Sequence, residues 1–226
     1  MKNDIELKMR ILEKFGIMSE PKSIEFCKEA YKFVYGDTGE GPADIVADPV
    51  AVDLGLPSGT KWADRNIGAS NPEDTGLYFS WGNTVGHEAG KGYDFEDDYD
   101  NTPGSELKGD IDLEHDAARV NLREPWKMPT KEQFKELVDN CESEVTTINE
   151  YLGRRFTSKI NGNSIFMPFA GYIGGTGLRI RGSYGLYWSS SLLSQTLGYV
   201  LNFNSGGVDP ADLNGRFFGF SVRAVQ

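Results

Sequence analysis

The chain has 226 residues, enough for one large domain or for a domain with a small appendage. Its formal net charge of −11 and pI near 4.7 disfavour nucleic acid or an anionic membrane as a general partner. The two cysteines, Cys27 and Cys141, lie far apart in segments with helical patterns, so we expect two reduced thiols rather than a disulfide. No Cys/His spacing typical of a metal site is present.

The first 35 residues carry two apolar helical patterns, from Ile5 to Phe15 and from Ile24 to Val34. Gly16 ends the first pattern, and Ser19-Glu20-Pro21 supplies a cap and an early proline for the second. We therefore predict a helical hairpin over 1–35. A hairpin this short cannot bury both apolar stripes by itself. It either docks onto the rest of the chain or joins it to a larger assembly or to a second copy.

Neither a secretory signal peptide nor a membrane span is predicted. The N-terminus lacks the apolar region of a signal peptide. No segment approaches the ~20 consecutive apolar residues that a transmembrane helix needs. We expect no insertion into a membrane.

The main domain is predicted over 50–226, after a linker at 36–49 that is rich in Gly, Pro and acidic residues. It begins with two short strands around the turn Pro57-Ser58-Gly59. The acidic segment 83–115 has carboxylates of the kind that calcium binds. It lacks the glycine-centred spacing of an EF-hand, so we predict a solvated loop and no metal.

The middle of the domain contains two helical patterns and two strand patterns. A short helix is predicted over 116–120 and a longer one over 131–141, begun by a capping box of Thr130 and Gln133. Strands are predicted over 154–159 and 163–169. The glycine-rich segment 171–185 is predicted to be a flexible loop, because no helix and no Lys-Ser/Thr pair follow to complete a phosphate-binding motif.

The segment 192–218 has few charges in a chain that is 25% charged, namely Asp209, Asp212 and Arg216. Alternation of apolar residues with their neighbours predicts a strand over 199–204, with Leu201 and Phe203 pointing inward. The composition of 209–215 predicts a loop after it. Phe217 and Phe218 would point to opposite faces if they were in a strand. Apolar residues at loop positions favour either a binding surface or an ordinary core strand pair.

The sequence motifs on both sides of this segment resemble those of a known protein family. The C-terminal part is similar to the C-type-lectin-fold variable proteins of diversity-generating retroelements, found in gut bacteria and their phages, through Tyr187–Ser191, Leu201–Ser205, Arg216 and Gly219–Val225. The same family is matched by Asp53–Ala63, Asn66–Gly82 and Trp126–Cys141. Ala224 replaces the family's Pro, and Gln133 replaces its Glu. The resemblance spans about residues 50–226 and implies an α+β, C-type-lectin-like domain.

The resemblance also implies a function, which is receptor recognition by a diversified surface. In that family, variable positions descend from asparagine codons altered at their adenines, and the residues found here fit the amino acids that such codons reach. The resemblance therefore implies a ligand-binding surface for a protein or glycan receptor, formed by Leu193, Thr196, Leu197, Val200, Asn202, Asn204, Asp209, Asp212, Leu213, Asn214, Phe217 and Phe218. We expect one contiguous exposed patch, with Val200, Asn202 and Asn204 outward.

Two alternatives stay open. The first is a non-diversified structural member of the same fold, which a near-copy of the 187–225 coding sequence beside a reverse transcriptase gene would exclude. The second is a relative of the formylglycine-generating oxidases, which use cysteines in the C-terminal core. No cysteine follows Cys141, and His87 and His115 lack a nucleophile pattern beside them. We predict no enzyme, no catalytic residue and no cofactor, in a protein that is cytoplasmic or carried on a phage particle.

Overall fold

The computed structural model describes residues 48–96 and 105–226. The predicted hairpin at 1–35 and most of the predicted linker at 36–49 lie outside the described residues, as does part of the acidic segment. Residues from Asp48 to Gln226 group into one compact unit. Within the described ranges, no helix has the length and apolar character that crossing a membrane requires.

The described residues form an α+β fold that consists mostly of sheet. Its two helices are α1 (Ala117–Leu122) and α2 (Lys131–Asn140). The first six strands are β1 (Ala51–Asp53), β2 (Lys61–Ala63), β3 (Tyr78–Phe79), β4 (Cys141–Ile148), β5 (Tyr151–Ser158) and β6 (Ser164–Pro168). The next six are β7 (Tyr172–Gly174), β8 (Gly177–Arg179), β9 (Gly185–Leu192), β10 (Leu197–Phe203), β11 (Val208–Gly215) and β12 (Phe220–Ser221).

Four sheets result from the pairing of these strands. The main sheet has the order β11-β10-β9-β12-β3, in which β12 is parallel to β9 and the other pairs are antiparallel. A three-stranded sheet has the order β4-β5-β6, and β1 with β2 and β7 with β8 form two small hairpins. The predicted pair of short strands around Pro57–Gly59 is confirmed by the β1–β2 hairpin.

The main sheet is covered on both faces around its central strand β9. Tyr187, Leu201 and Phe203 belong to one core cluster, together with side chains from α2. Leu186, Trp188 and Val200 belong to a second cluster on the opposite face. Because successive side chains of a strand point to opposite faces, the two clusters divide the residues of β9 and β10 between them.

Both predicted helices are confirmed, with small changes in their ends. The Thr130 hydroxyl accepts from the amide of Gln133 at 3.2 Å, and the Gln133 side chain accepts from the amide of Thr130 at 2.9 Å, which completes the predicted capping box. Helix α2 ends at Asn140 because Cys141 is extended and begins β4. Helix α1 starts after Asp116, which is its cap, and continues to Leu122.

Two sequence predictions about local structure are wrong, and one strand was not predicted. The segment 209–215 is a strand and not a loop, because β10 supplies a ladder of hydrogen bonds that its Asp, Pro and Asn content did not predict. The glycine-rich segment 171–185 contains the β7–β8 hairpin. Strand β4, which follows α2 directly, was not predicted, since most of its side chains are exposed and polar and gave no apolar alternation.

The buried carboxylate of Asp116 predicts a measurable loss of stability on truncation. It accepts from the amides of Ala118 (2.9 Å) and Arg119 (3.0 Å), and from the amide of Met128 at 2.9 Å. Asp116→Ala removes these bonds and leaves buried donors unpaired, so we expect a loss of about 2 kcal/mol in the free energy of unfolding. Urea unfolding of the full chain measures it. Asp116→Asn keeps one acceptor oxygen and should lose less; equal losses would contradict this role.

Candidate functional site

The motifs that bracket the 192–218 segment are anchored in the interior. Trp188 donates from its indole nitrogen to the carbonyl of Phe79 at 2.8 Å, and the Tyr187 hydroxyl donates to the carbonyl of Pro168 at 2.8 Å. Both rings are fully buried. Burial raises the pKa of Tyr187, which therefore stays protonated and can act as this donor. The start of the segment is thereby fixed to the core.

The motif after the segment is anchored by a buried cation, Arg223. Its guanidinium donates to Asn66 Oδ1 at 2.9 Å and to the carbonyls of Ala63 and Phe166 at 3.0 Å. Burial lowers the pKa of Arg223 to about 10, which still leaves it charged at neutral pH. These acceptors come from two separate parts of the chain, residues 63–66 and Phe166, so Arg223 links the C-terminus to the end of β2 and to β6.

Arg216 is the only basic residue within the segment, and it is a structural anchor rather than part of a surface. Its side chain is 1% exposed, and its guanidinium lies 4.4 Å from the ring centroid of Trp81. The same group donates to the carbonyls of Leu107 (3.0 Å) and Gln195 (2.9 Å). Its backbone amide donates to Thr196, and its carbonyl accepts from Trp81. The sequence identified Arg216 only as part of a motif, without this role.

Most of the predicted ligand-binding residues lie at least partly at the surface. Leu193 is 48% exposed and Leu213 is 38% exposed. Thr196 and Asp209 are also exposed. Seven others are half-buried, namely Leu197, Asn202, Asn204, Asp212, Asn214, Phe217 and Phe218.

Val200 is the exception, and its predicted outward position is wrong. It is 0% exposed and packs with Trp188 in the second core cluster. The prediction assumed that β10 has one buried and one solvated face. Leu201 and Phe203 do point inward as predicted, but other side chains cover the opposite face of the strand at Val200 as well.

The remaining residues of β10 and β11 are distributed over two faces rather than one. Asn202 donates to the Asp212 carboxylate at 2.8 Å, so these two side chains share a face. Leu213 neighbours Asp212 and therefore points to the other face, opposite Tyr199. On that second face, the Lys131 ammonium lies 4.2 Å from the Tyr199 ring centroid. The predicted residues of β10 and β11 therefore lie on both faces of the sheet, and not on one face as expected. Tyr199, which was not among the predicted residues, is half-buried on the second face.

Phe217 and Phe218 lie in a turn after β11, where the alternation rule for strands does not apply. The amide of Phe218 donates to the carbonyl of Gly215. The ring centroids of Phe217 and Phe218 are 4.4 Å apart. Phe218 also contacts Tyr172, at 5.2 Å between centroids. Gly215 leaves room for Phe217, since a Cβ there would lie 2.9 Å from the ring. These aromatics form a half-buried cluster, to which the β7 residue Tyr172 is an addition that the sequence did not predict.

No group of three or more His, Cys, Asp or Glu side chains within the described ranges is arranged to hold a metal ion. Cys141 is 4% exposed, and burial raises the pKa of its thiol to about 11. A thiol with so high a pKa is a poor nucleophile at neutral pH.

A cleft of about 320 Å³ lies apart from the predicted residues, none of which line it. Its walls include Glu150, Tyr151 and Arg181, with Phe169 among the apolar residues. The Arg181 guanidinium is 5.6 Å from the Tyr151 ring centroid. The cleft and the 192–218 segment therefore use different residues.

Comparison with known proteins gave no relative: no family model, no curated protein and no solved structure matches the chain.

Replacing Arg216 by lysine should destabilise the 192–218 segment. Lysine keeps the charge but loses the planar group that lies against Trp81 and bonds two carbonyls. We expect Arg216→Lys to lower the free energy of unfolding by about 2 kcal/mol and to speed amide exchange at residues 195–197. Urea unfolding and hydrogen exchange measure these effects. Arg155→Lys, at a more exposed position, is the matched control, and equal effects of the two changes would contradict the anchoring role.

The buried thiol predicts slow alkylation in the native protein. In a Cys27→Ser background, iodoacetamide should label Cys141 negligibly at pH 8, because thiolate forms only as the pH approaches the raised pKa of about 11. Labelling should become rapid in urea at pH 8. Mass spectrometry measures both rates. Fast labelling of the folded chain at pH 8 would indicate an activated cysteine and would reopen the oxidase interpretation.

Proposed function

We propose that the chain is a binding protein with a C-type-lectin-like domain over 50–226, of the retroelement-diversified kind. In this proposal the 192–218 segment recognises a protein or glycan receptor, and no catalysis takes place. The α+β architecture is consistent with that fold, and the ordered motifs of the sequence support the finer assignment.

The observation that carries the proposal is the contrast in burial between the motifs and the residues between them. Trp188, Phe220 and Arg223 in the bracketing motifs are fully buried, whereas Leu193, Asp209 and Leu213 are exposed. Substitutions at exposed positions usually change stability by less than about 0.5 kcal/mol, whereas core substitutions cost several times more. In such a protein, substitutions at the exposed positions, where a receptor would bind, cost little stability. Substitutions of the buried residues in the bracketing motifs destabilise the fold.

The exposed side chains also have suitable chemistry for binding. Leu193 and Leu213 would each contribute about 1.5–3 kcal/mol if a partner buried them completely. Asp209 and Asn214 would discriminate between partners, since a buried polar group left without a hydrogen bond is costly. The half-buried rings of Phe217 and Phe218 add aromatic surface of the kind common in interfaces.

The two alternative functions receive less support. An oxidase of the formylglycine-generating type would need a reactive cysteine, and Cys141 is buried with a raised pKa. A purely structural member of the fold would not need large exposed leucines at the turn and the edge strand. For residues 1–35, we keep the proposal that they join the domain to a larger assembly or to a second copy.

The test is a receptor screen with matched surface variants. Immobilised full-length chain is screened against a panel of purified bacterial surface proteins and a glycan array. The variant Leu193→Ser/Asp209→Ser/Leu213→Ser should lose more than tenfold in affinity for any partner found, because it removes exposed contacts. Its melting temperature should stay close to that of the parent chain.

The control variant is Val50→Ser/Ile160→Ser, which changes exposed apolar residues outside the segment. It should bind like the parent. A partner that binds the first variant as well as the parent would contradict recognition through the segment. Loss of folding in the first variant would contradict the division between the motifs and the surface.

A further inference from the structure

Among the strands of the described residues, β11 is at one edge of the main sheet and pairs with β10 alone. An edge strand presents unpaired amide and carbonyl groups along its outer side, and these groups attract further strands. Strand addition is a common mode of peptide recognition and also a route to aggregation. Whether this edge is open therefore decides what kind of partner can bind the segment.

Two amides of β11 donate to aspartate side chains of the same strand. The amide of Ala211 donates to Asp209 Oδ1 at 3.0 Å, and the amide of Leu213 donates to Asp212 Oδ1 at 2.8 Å. Between Asp209 and Ala211 lies Pro210, which has no amide hydrogen. Positions 210, 211 and 213 thus offer no free donor to an incoming strand.

We call the two aspartate side chains that accept from β11 amides, Asp209 and Asp212, the caps of this edge. Strand β10 holds the Asp212 cap in place. The second oxygen of the Asp212 carboxylate accepts from the Asn202 side chain at 2.8 Å. The register between β10 and β11 also shifts between Val200 and Asn202, opposite the stretch that contains Pro210. Such a bulge increases the local twist and makes an edge less suitable for pairing.

We propose that Asp209, Pro210 and Asp212 close the β11 edge to strand addition, so that a partner contacts this edge through side chains only. The kind of partner that fits is a folded protein surface, and not an extended peptide that would lengthen the sheet. The statement about the partner rests on the proposed function. The closure of the edge does not, because it follows from contacts within the chain.

The experiment compares two double variants of the full-length chain. Asp209→Ala/Asp212→Ala removes both caps, whereas Asp209→Asn/Asp212→Asn removes both charges but keeps an acceptor oxygen at each position. The probe is a fluorescent peptide with the sequence of residues 197–203, the natural neighbour of β11, flanked by lysines for solubility. Fluorescence anisotropy measures its binding, and sedimentation velocity measures self-association. Hydrogen exchange at Ala211 and Leu213 reports whether the caps have opened.

The alanine variant should bind the peptide at least tenfold more tightly than the parent, or self-associate more strongly, with faster exchange at both amides. The asparagine variant should behave like the parent. Peptide binding by the parent would overturn the proposal, as would an alanine variant whose amides open without binding the peptide or self-associating. An asparagine variant that binds the peptide as well as the alanine variant would show that charge, and not amide capping, closes the edge.

If the double alanine variant fails to fold, Asp209→Ala alone provides the same comparison at the exposed cap, with Asp209→Asn as its control. No receptor is needed for these measurements. An open edge would therefore contradict the closure while leaving receptor binding through the segment intact. Failure of the receptor screen would leave the closure intact.

Discussion

The contact between the Arg216 guanidinium and the Trp81 ring is the constraint on which the rest of the 192–218 segment depends. The contact is buried, and the same guanidinium bonds the carbonyls of Leu107 and Gln195. One side chain therefore fixes the turn after β9, the end of β11 and the loop that carries Leu107. A charged group in this position is costly to bury, and its hydrogen bonds and aromatic contact offset that cost.

The position of a strand within the main sheet decides which of its residues can face a partner. Strands β9 and β10 have neighbours on both sides and core clusters on both faces, so Val200 cannot be a surface residue. Within residues 48–96 and 105–226, strand β11 has a neighbour on one side only, and most of its side chains alternate between exposed and half-buried positions. A binding surface built on this sheet is therefore made of its edge and the adjoining turns.

Capping of the β11 edge would restrict which residues its positions tolerate. Aspartate and asparagine carry an oxygen that can accept from a nearby amide, whereas leucine or phenylalanine cannot. A change at Asp209 or Asp212 would then alter both the side chains that a partner meets and the protection of the edge. The side chains of Leu193 and Leu213 make no such bond. Changes at these two positions would therefore alter the side chains that a partner meets and leave the protection of the edge unaffected.

The sequence by itself determined the local elements whose signals are contained in a few neighbouring residues. The capping box of Thr130 and Gln133, the turn at Pro57–Gly59 and the inward positions of Leu201 and Phe203 were all predicted, because each depends on short-range geometry or on strand alternation. The tertiary structure alone decided the burial of Val200, the strand over Val208–Gly215 and the role of Arg216. Each of these depends on a partner distant in the chain or on a neighbouring strand, and a local pattern carries no information about which side chains cover a face.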